Sequence, residues 1–178
     1  MSFLRKIGHT IQKFDYCISH DPEIMGKRFE DHVQTLFSIK YFKLVEKNHA
    51  VTTGTKREGD NSKNPDFIFE YLPTGEKFAV ACIYRTQLNN QADLEWSCPA
   101  QLQKYQEFEN QTKIPVFIVI GLELSSGSVS RPPETEQERC MFNIPLKNAP
   151  CPALHRAAFA NCAREFKRPF FWKDGNLY

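Results

Sequence analysis

The side chains of this sequence that are best placed for chemistry lie on one stretch, from Asn64 to Arg85. Asp66 shares a strand face with Ile68 and Glu70, because successive side chains of a strand point to opposite faces. In the second half of the stretch, one face carries Lys77, Ala79, Ala81, Ile83 and Arg85. The ionisable side chains on these two faces are Asp66, Glu70, Lys77 and Arg85.

Two strands joined by a tight turn are predicted to position these side chains. Residues 67–71 are rich in strand formers, Pro73-Thr74-Gly75 supplies turn residues, and Phe78 to Tyr84 resumes the strand pattern. The second run is almost continuously apolar, which predicts a strand that is buried on both faces. The stretch is therefore predicted to be a β-hairpin.

Pro65-Asp66 and the strand after it resemble the PD-(D/E)XK nuclease superfamily, which has the restriction-endonuclease-like fold. In that family Pro-Asp on one strand is followed, on the next strand, by an acidic residue, any residue and Lys. The second half of the pattern falls here on Ala81-Cys82-Ile83. Ala81 and Ile83 thus occupy the positions of the acidic residue and the Lys.

Two helical segments add to the resemblance. Gly26-Lys27-Arg28-Phe29-Glu30 is similar to a family pattern that places an acidic residue near the metal, and a Gln-Leu-x-x-Tyr pattern begins at Gln101. The resemblance implies that Glu30, Asp66 and Gln101 converge with the positions of Ala81 and Ile83 on one concave site. For Glu30 the alternative is a solvated helical glutamate, and for Gln101 it is a surface glutamine without a role.

Magnesium is the cofactor that the resemblance implies, with Asp66 and Glu30 as its protein ligands. In such a site carboxylates hold the cation, which orients a water, and a Lys positions or deprotonates that water. Ala81 offers no oxygen ligand and Ile83 no ammonium group. Poor magnesium binding and loss of phosphodiester hydrolysis are therefore expected.

The charge of the chain is nearly balanced, with 23 basic and 21 acidic residues, so net charge alone does not indicate nucleic-acid binding. The segment from Lys147 to Tyr178 is locally basic, and its end mixes cations with aromatic residues. Packing of these aromatic residues into the core is the alternative. The candidate DNA contacts are Lys56, Arg57, Arg85, Arg164, Lys167 and Arg168.

The six cysteines are scattered without a Cys-x-x-Cys pair and without a secretory signal before them, which predicts reduced thiols and no structural zinc. No apolar run approaches the length of a membrane span. A cytoplasmic protein without membrane association is expected. Docking on the domain is expected for an amphipathic helix at residues 3–14, with membrane-surface binding as the alternative.

The remaining pattern predicts the order of elements along the chain. A helix is predicted from Asp21-Pro22 to about Phe42, a short strand at residues 44–45 and a polar loop at 48–64. After the hairpin, Ser97 is expected to cap a helix that begins at Pro99. The last predicted elements are a central strand at 116–120, an edge strand at 139–146 and a helix at 153–166.

These features predict one domain over residues 1–178, of the α/β class, with a restriction-endonuclease-like core and a central mixed sheet flanked by helices. The predicted function is that of a DNA-binding, nuclease-like pseudoenzyme whose hydrolase activity is lost. The alternative is a protein-interaction module that uses the former cleft to hold a protein partner. A third hypothesis is an active enzyme in which displaced ligands, such as Glu70 and Lys77, replace the lost pair.

Overall fold

A six-stranded mixed sheet is the centre of the computed structural model, which describes residues 22–48, 64–91, 93–123 and 139–178. The described helices are α1 (Pro22–Thr35), α2 (Pro99–Thr112) and α3 (Arg156–Ala160), with a 3-10 turn at Leu146–Asn148. The described strands are β1 (Phe42–Lys47), β2 (Phe67–Tyr71), β3 (Glu76–Arg85), β4 (Leu94–Glu95), β5 (Val116–Glu123), β6 (Arg139–Pro145), β7 (Ala153–Leu154), β8 (Ala163–Arg164), β9 (Trp172–Lys173) and β10 (Asn176–Leu177).

The main sheet has the strand order β1-β2-β3-β5-β6-β8. Strands β3 and β5 pair in parallel, and the other neighbouring pairs are antiparallel. Helix α2 lies between β3 and β5 in sequence and makes the crossover that a parallel pair requires. Two further ladders, β4 with β7 and β9 with β10, lie outside this sheet. The predicted α/β class and central mixed sheet are confirmed.

Strands β2 and β3 form the predicted hairpin. Their ladder runs from Tyr71 opposite Glu76 to Phe67 opposite Val80. Gly75 closes the turn with a φ of 74°, a left-handed conformation that glycine adopts without a steric penalty. Beyond Val80, β3 continues to Arg85. Over this part it pairs with β5 and no longer with β2. The β2–β3 ladder therefore ends at Phe67, the residue after Asp66.

The two faces of the sheet differ in composition. One face packs an aromatic core, and α1 covers it with Phe29, Val33 and the following Phe37. Gly121 of β5 lies under the Phe29 ring, where an added Cβ would come within 2.5 Å of a ring carbon. The opposite face packs a more aliphatic core, to which α2 contributes Leu102 and Tyr105. Strands β3 and β5 are therefore covered on both sides, as their apolar sequences predicted.

The prediction that the first helix reaches Phe42 is wrong, because α1 ends at Thr35. The amides of Tyr41 and Phe42 both donate to the Ser38 carbonyl, and Phe42 then pairs with Tyr71 in the sheet. The apolar residues that continue the helical spacing, Leu36 and Phe37, are nevertheless buried directly after the helix. Pairing with β2 decides where the helix gives way to a strand.

Three predictions for later segments are also corrected. The predicted helix at 153–166 is helical only at Arg156–Ala160, because β7 and β8 pair with β4 and β6 on either side of it. The residue that precedes α2 is Cys98, without a side-chain cap, and the Ser97 hydroxyl donates to the Cys98 carbonyl instead. Strand β6 is not the outermost strand throughout, because β8 pairs with Met141 and Phe142.

Among the described strands, β1 is the outer one on the other side of the sheet. Its register with β2 shifts between Leu44 and Glu46, so that Val45 is an extra residue without a direct partner. The predicted short strand is therefore confirmed and lengthened to Phe42–Lys47. The predicted N-terminal helix and most of the predicted polar loop lie outside the described residues. None of the helices in the described part is both long and apolar enough to cross a membrane.

Candidate functional site

Asp66 lies at the end of the hairpin ladder, directly before β2. Its Oδ2 accepts a hydrogen bond from the Cys82 amide at 2.6 Å. Asn48 holds the same corner from β1, because its amide donates to the Asp66 carbonyl and its Nδ2 donates to the Pro65 carbonyl, each at 2.8 Å. Asn48 thus fixes the backbone at Pro65-Asp66, and the Asp66 carboxyl group accepts an amide of β3 beyond the end of the β2–β3 ladder.

Glu30 of α1 is close enough to act on the charge of Asp66. Burial raises the pKa of Asp66 to about 7, and the Glu30 carboxylate adds to that rise. The hydrogen bond from the Cys82 amide and the positive charge of Lys27 oppose it. Lys27 also forms a 3.1 Å ion pair with Glu30 on the same helix. Helix α1 therefore brings one carboxylate and one ammonium group to Asp66.

Gln101 reaches the site through Tyr105, which follows it one turn later on α2. Gln101 forms a side-chain hydrogen bond with Tyr105, whose pKa is raised by burial and by the charge of Asp66. Tyr105 is 5% exposed and belongs to the aliphatic core. The sequence identified Tyr105 as a buried residue of α2 but not as the link between Gln101 and Asp66.

Ala81 and Ile83 lie on the aliphatic side of β3. Ala81 has no exposed surface, and Ile83 is partly buried against the same core. Cys82, between them, packs on the aromatic side, where the charges of Asp66 and Glu30 act on it. Asp66 thus borders both cores at the edge of β3, with α1 on one side and Tyr105 on the other. Glu30 and Gln101 thus lie on helices that cover opposite faces of the sheet, and their convergence with Asp66 on one concave site stays a prediction.

The described residues around Asp66 do not supply a full set of magnesium ligands. Within the described ranges, no group of three His, Cys, Asp or Glu side chains lies close enough to hold a metal ion. Glu30 is paired with Lys27, and Asp66 titrates near neutral pH and already accepts the Cys82 amide. Ala81 and Ile83 add no ligand. The carboxylates alone do not supply the several oxygen ligands that Mg²⁺ requires.

Glu70 and Lys77 do not complete the site either. They lie opposite each other in the hairpin, near its turn. Four residues of extended chain separate Glu70 from Asp66, a distance of about 13 Å. That separation excludes both side chains from the surroundings of the Asp66 carboxyl group. The displaced-ligand hypothesis therefore has no geometric basis in the hairpin.

Arg85 and Arg164 donate hydrogen bonds to backbone carbonyls, and the Arg168 guanidinium lies 5.6 Å from the centroid of the Phe171 ring. The Arg85 guanidinium donates to the carbonyls of Glu95, Trp96 and Tyr84 at 2.7, 3.0 and 2.9 Å. Arg164 donates to the Arg168 carbonyl and lies 3.5 Å from the centroid of the Phe170 ring. Burial lowers the pKa of Arg164 to about 10. Arg85 and Arg164 hold neighbouring chain segments, so fewer N–H donors of each guanidinium remain to bind a phosphate.

Lys167 and Arg168 lie beside α1, and both are exposed. The preceding Phe166 stacks on His32 of α1 with ring centroids 4.4 Å apart, and the His32 Nε2 lies 2.9 Å from the Phe166 carbonyl. The cations are therefore held next to the helix that carries Glu30. Lys56 and Arg57 lie outside the described residues.

Comparison with protein-family models, with curated proteins and with solved structures finds no match to this chain. Function is therefore inferred from the site and the topology.

Proposed function

We propose that this chain is a restriction-endonuclease-like DNA-binding domain of the PD-(D/E)XK type that has lost metal-dependent hydrolysis. The observation that carries the proposal is the hydrogen bond from the Cys82 amide to the Asp66 carboxyl group. This bond holds Asp66 against the middle of Ala81-Cys82-Ile83, the segment where the family pattern has its second acidic residue and Lys. In this proposal the site retains the Pro-Asp strand and the neighbouring strand of a nuclease site, and it lacks the second acidic residue and the Lys.

The topology supports the same proposal. Helix α1 is followed by β1, the β2–β3 hairpin, helix α2 and strand β5, and β5 pairs in parallel with β3. This order of helix, strand, hairpin, helix and strand is the one that the resemblance implies for the nuclease core. The site residues also come from the elements that the resemblance names, since Glu30 is on α1 and Gln101 is on α2.

Binding without cleavage is the function that the charges support. Lys167 and Arg168 directly follow Phe166, whose ring stacks on His32 of α1. A DNA backbone bound along α1 would therefore contact these two cations. Lys and Arg side chains bind nucleic acid mainly by neutralising phosphates, and this contribution does not require catalytic residues. Loss of the acidic residue and the Lys therefore removes hydrolysis without removing this mode of binding.

The alternative is a protein-interaction module that uses the former cleft. Ile83 is only partly buried and could contact a partner, whereas Ala81 has no exposed surface. The apolar area that the cleft offers is therefore small, and a DNA-binding measurement separates the two functions. A protein that binds duplex and single-stranded DNA no better than a neutral polymer would support the interaction module.

Magnesium-dependent cleavage is expected to be absent from the protein and to appear when the two lost groups are restored. The paired change Ala81→Glu and Ile83→Lys adds a carboxylate and an ammonium group beside Asp66. Because Ala81 is fully buried, the variant should unfold at lower temperature than the parent without Mg²⁺, and Mg²⁺ should raise its Tm. Nicking of supercoiled plasmid and thermal unfolding, each with and without Mg²⁺, measure both effects.

The matched control adds Asp66→Asn to the same paired change, which removes one carboxylate and keeps the side-chain shape. This control should show neither a Tm increase with Mg²⁺ nor cleavage. Robust cutting by the unchanged protein that Asp66→Ala abolishes would contradict the proposed loss of activity. A folded paired variant whose Tm does not respond to Mg²⁺ would contradict the nuclease-like site.

DNA affinity is expected to depend on Lys167 and Arg168. Replacing both by Ala should weaken binding and reduce the slope of log K against log salt concentration by about 2, because two phosphate contacts are lost. The control is the double change Lys40→Ala and Lys43→Ala, which removes the same charge at the far end of the β2 ladder, where Lys43 is opposite Glu70. Fluorescence anisotropy over a salt series measures the slopes. Equal slopes for the two double variants would contradict this assignment.

A further inference from the structure

A short ladder beside the main sheet, formed by β4 and β7, lies a few residues from two cysteines, Cys98 and Cys151. In this ladder Leu94 is opposite Leu154, and Glu95 is opposite Ala153. One residue further on, the amides of Trp96 and Ser97 both donate to the Pro152 carbonyl, at 3.0 and 3.2 Å. Two successive amides that share one carbonyl are the mark of a β-bulge, in which two residues of one strand oppose one residue of the other.

Continuation of this register by one residue would place Cys98 opposite Cys151. After Trp96 and Ser97 have opposed Pro152, the next residues of the two segments are these cysteines. The indole of the fully buried Trp96 holds the Cys151 backbone beside this segment, since its Nε1 donates to the Cys151 carbonyl at 2.8 Å. Directly opposed residues in an antiparallel pair have Cα atoms about 4.5 to 5.5 Å apart and side chains on the same side. Disulfides span Cα distances of about 4.4 to 6.8 Å.

We infer that Cys98 and Cys151 form a redox modification site that closes to an intramolecular disulfide. Both side chains are exposed and carry free thiols, so a small oxidant can reach them. With a low-molecular-weight disulfide such as oxidised glutathione, one thiolate attacks a glutathione sulfur and releases one glutathione. The second thiolate then attacks the protein-bound sulfur of the mixed disulfide and releases the other. Two protein thiols are oxidised and one glutathione disulfide is reduced to two thiols, so the exchange balances.

The disulfide would act on the helix that carries Gln101. The Cys98 carbonyl accepts the amides of Gln101 and Leu102 at 3.1 and 3.0 Å, so Cys98 begins the first turn of α2. A bond from Cys98 to Cys151 ties this turn to the chain before β7. The inference does not rest on the proposed DNA-binding function, because it uses only the ladder, the bulge and the exposure of the thiols.

The test uses the purified full chain, first reduced and then equilibrated with defined ratios of reduced to oxidised glutathione. After quenching with N-ethylmaleimide, intact mass and peptide mapping identify which cysteines are linked. One intramolecular bond between Cys98 and Cys151 is expected, and it should raise the Tm by about 5 to 10 °C. Because both side chains are exposed, Cys98→Ser and Cys151→Ser should fold like the parent and lose the bond and the Tm increase.

The control Cys140→Ser removes a third exposed thiol, on β6, and should keep the bond. Mixed glutathione disulfides on Cys98 and Cys151 without an internal bond would overturn the inference. An internal bond that persists in Cys98→Ser or Cys151→Ser would also overturn it, because other cysteines would then be responsible. Linkage between two copies of the chain would show that the pair does not close within one molecule.

Discussion

Asp66→Asn is expected to raise the free energy of unfolding at pH 8 by on the order of 4 kcal/mol and to leave it nearly unchanged at pH 4. The carboxyl group of Asp66 is part-buried, and burial together with the charge of Glu30 raises its pKa from 3.8 to about 7. Asn cannot ionise, and its side-chain oxygen can still accept the Cys82 amide. The change therefore removes the buried charge and keeps the hydrogen bond.

The direction of the pH dependence follows from proton binding. Below about pH 4 the Asp66 carboxyl group is protonated in both the folded and the unfolded protein, so it does not favour either state. Between about pH 4 and 7 the unfolded chain has released this proton and the folded protein still holds it, so stability falls as the pH rises. Above about pH 7 both states are ionised and this contribution is constant. The stabilising effect of Asn should grow through that window and then level off.

Urea unfolding of parent and variant at several pH values between 4 and 8 measures this difference. The control is Asp31→Asn on α1, an exposed carboxylate that Lys27 and Lys47 contact at 3.3 Å. Burial raises the pKa of Asp31, but the hydrogen bonds and charges of Lys47 and Lys27 together outweigh it, so the pKa is lowered and replacement should not stabilise the protein at pH 8. Equal stability of the parent and Asp66→Asn at pH 8 would show that Asp66 is ionised without penalty.

Phe78→Ala is expected to destabilise the protein by about 3 to 5 kcal/mol, because it opens a cavity at the centre of the aromatic core. Phe78 has no exposed surface. Its ring stacks on Trp172 with centroids 4.6 Å apart and lies within 6 Å of the rings of Phe69, Phe37 and Phe42, at 5.8, 5.9 and 5.9 Å. Removal of the ring therefore loosens contacts between the hairpin, the end of α1 and the C-terminal strands.

Phe171→Ala provides the matched control for Phe78→Ala. Phe171 is 42% exposed and stacks on Tyr178 with centroids 5.1 Å apart, so the same chemical change should cost about 1 kcal/mol or less. Chemical unfolding of both variants at one pH gives the comparison. If the two losses were equal, the stacked rings around Phe78 would not form the centre of the core.

Local sequence patterns predicted the elements that depend on local contacts. The hairpin was predictable because Pro73-Thr74-Gly75 and the flanking strand formers act within a few residues. The end of α1 was not predictable in this way, because Leu36 and Phe37 continue the helical spacing while Phe42 pairs with Tyr71 across the sheet. The C-terminal helix was overextended for the same reason, since β7 and β8 are fixed by strands distant in sequence.

The candidate site was predictable only in part. The resemblance indicated Glu30, Asp66 and Gln101, and the structure places Asp66 against β3 and the helices of Glu30 and Gln101 on opposite faces of the sheet. Their roles in metal binding and catalysis stay predictions. Asn48 could not be identified as a residue that supports the site. Its side chain donates a hydrogen bond to the Pro65 carbonyl, and such a bond has no characteristic sequence pattern. The contacts of Arg85 and Arg164 with carbonyls are invisible in sequence for the same reason.

The bulge at Val45 bears on how copies of this chain behave at high concentration. An outer strand can template the addition of a strand from another molecule, and this contact leads to aggregation. The extra residue bends β1 and interrupts its regular spacing of donors and acceptors, so a straight incoming strand cannot stay in register along it. Lys43, Glu46 and Lys47 add charge along the same strand. The irregularity of β1 therefore favours colloidal stability at the expense of a longer regular ladder.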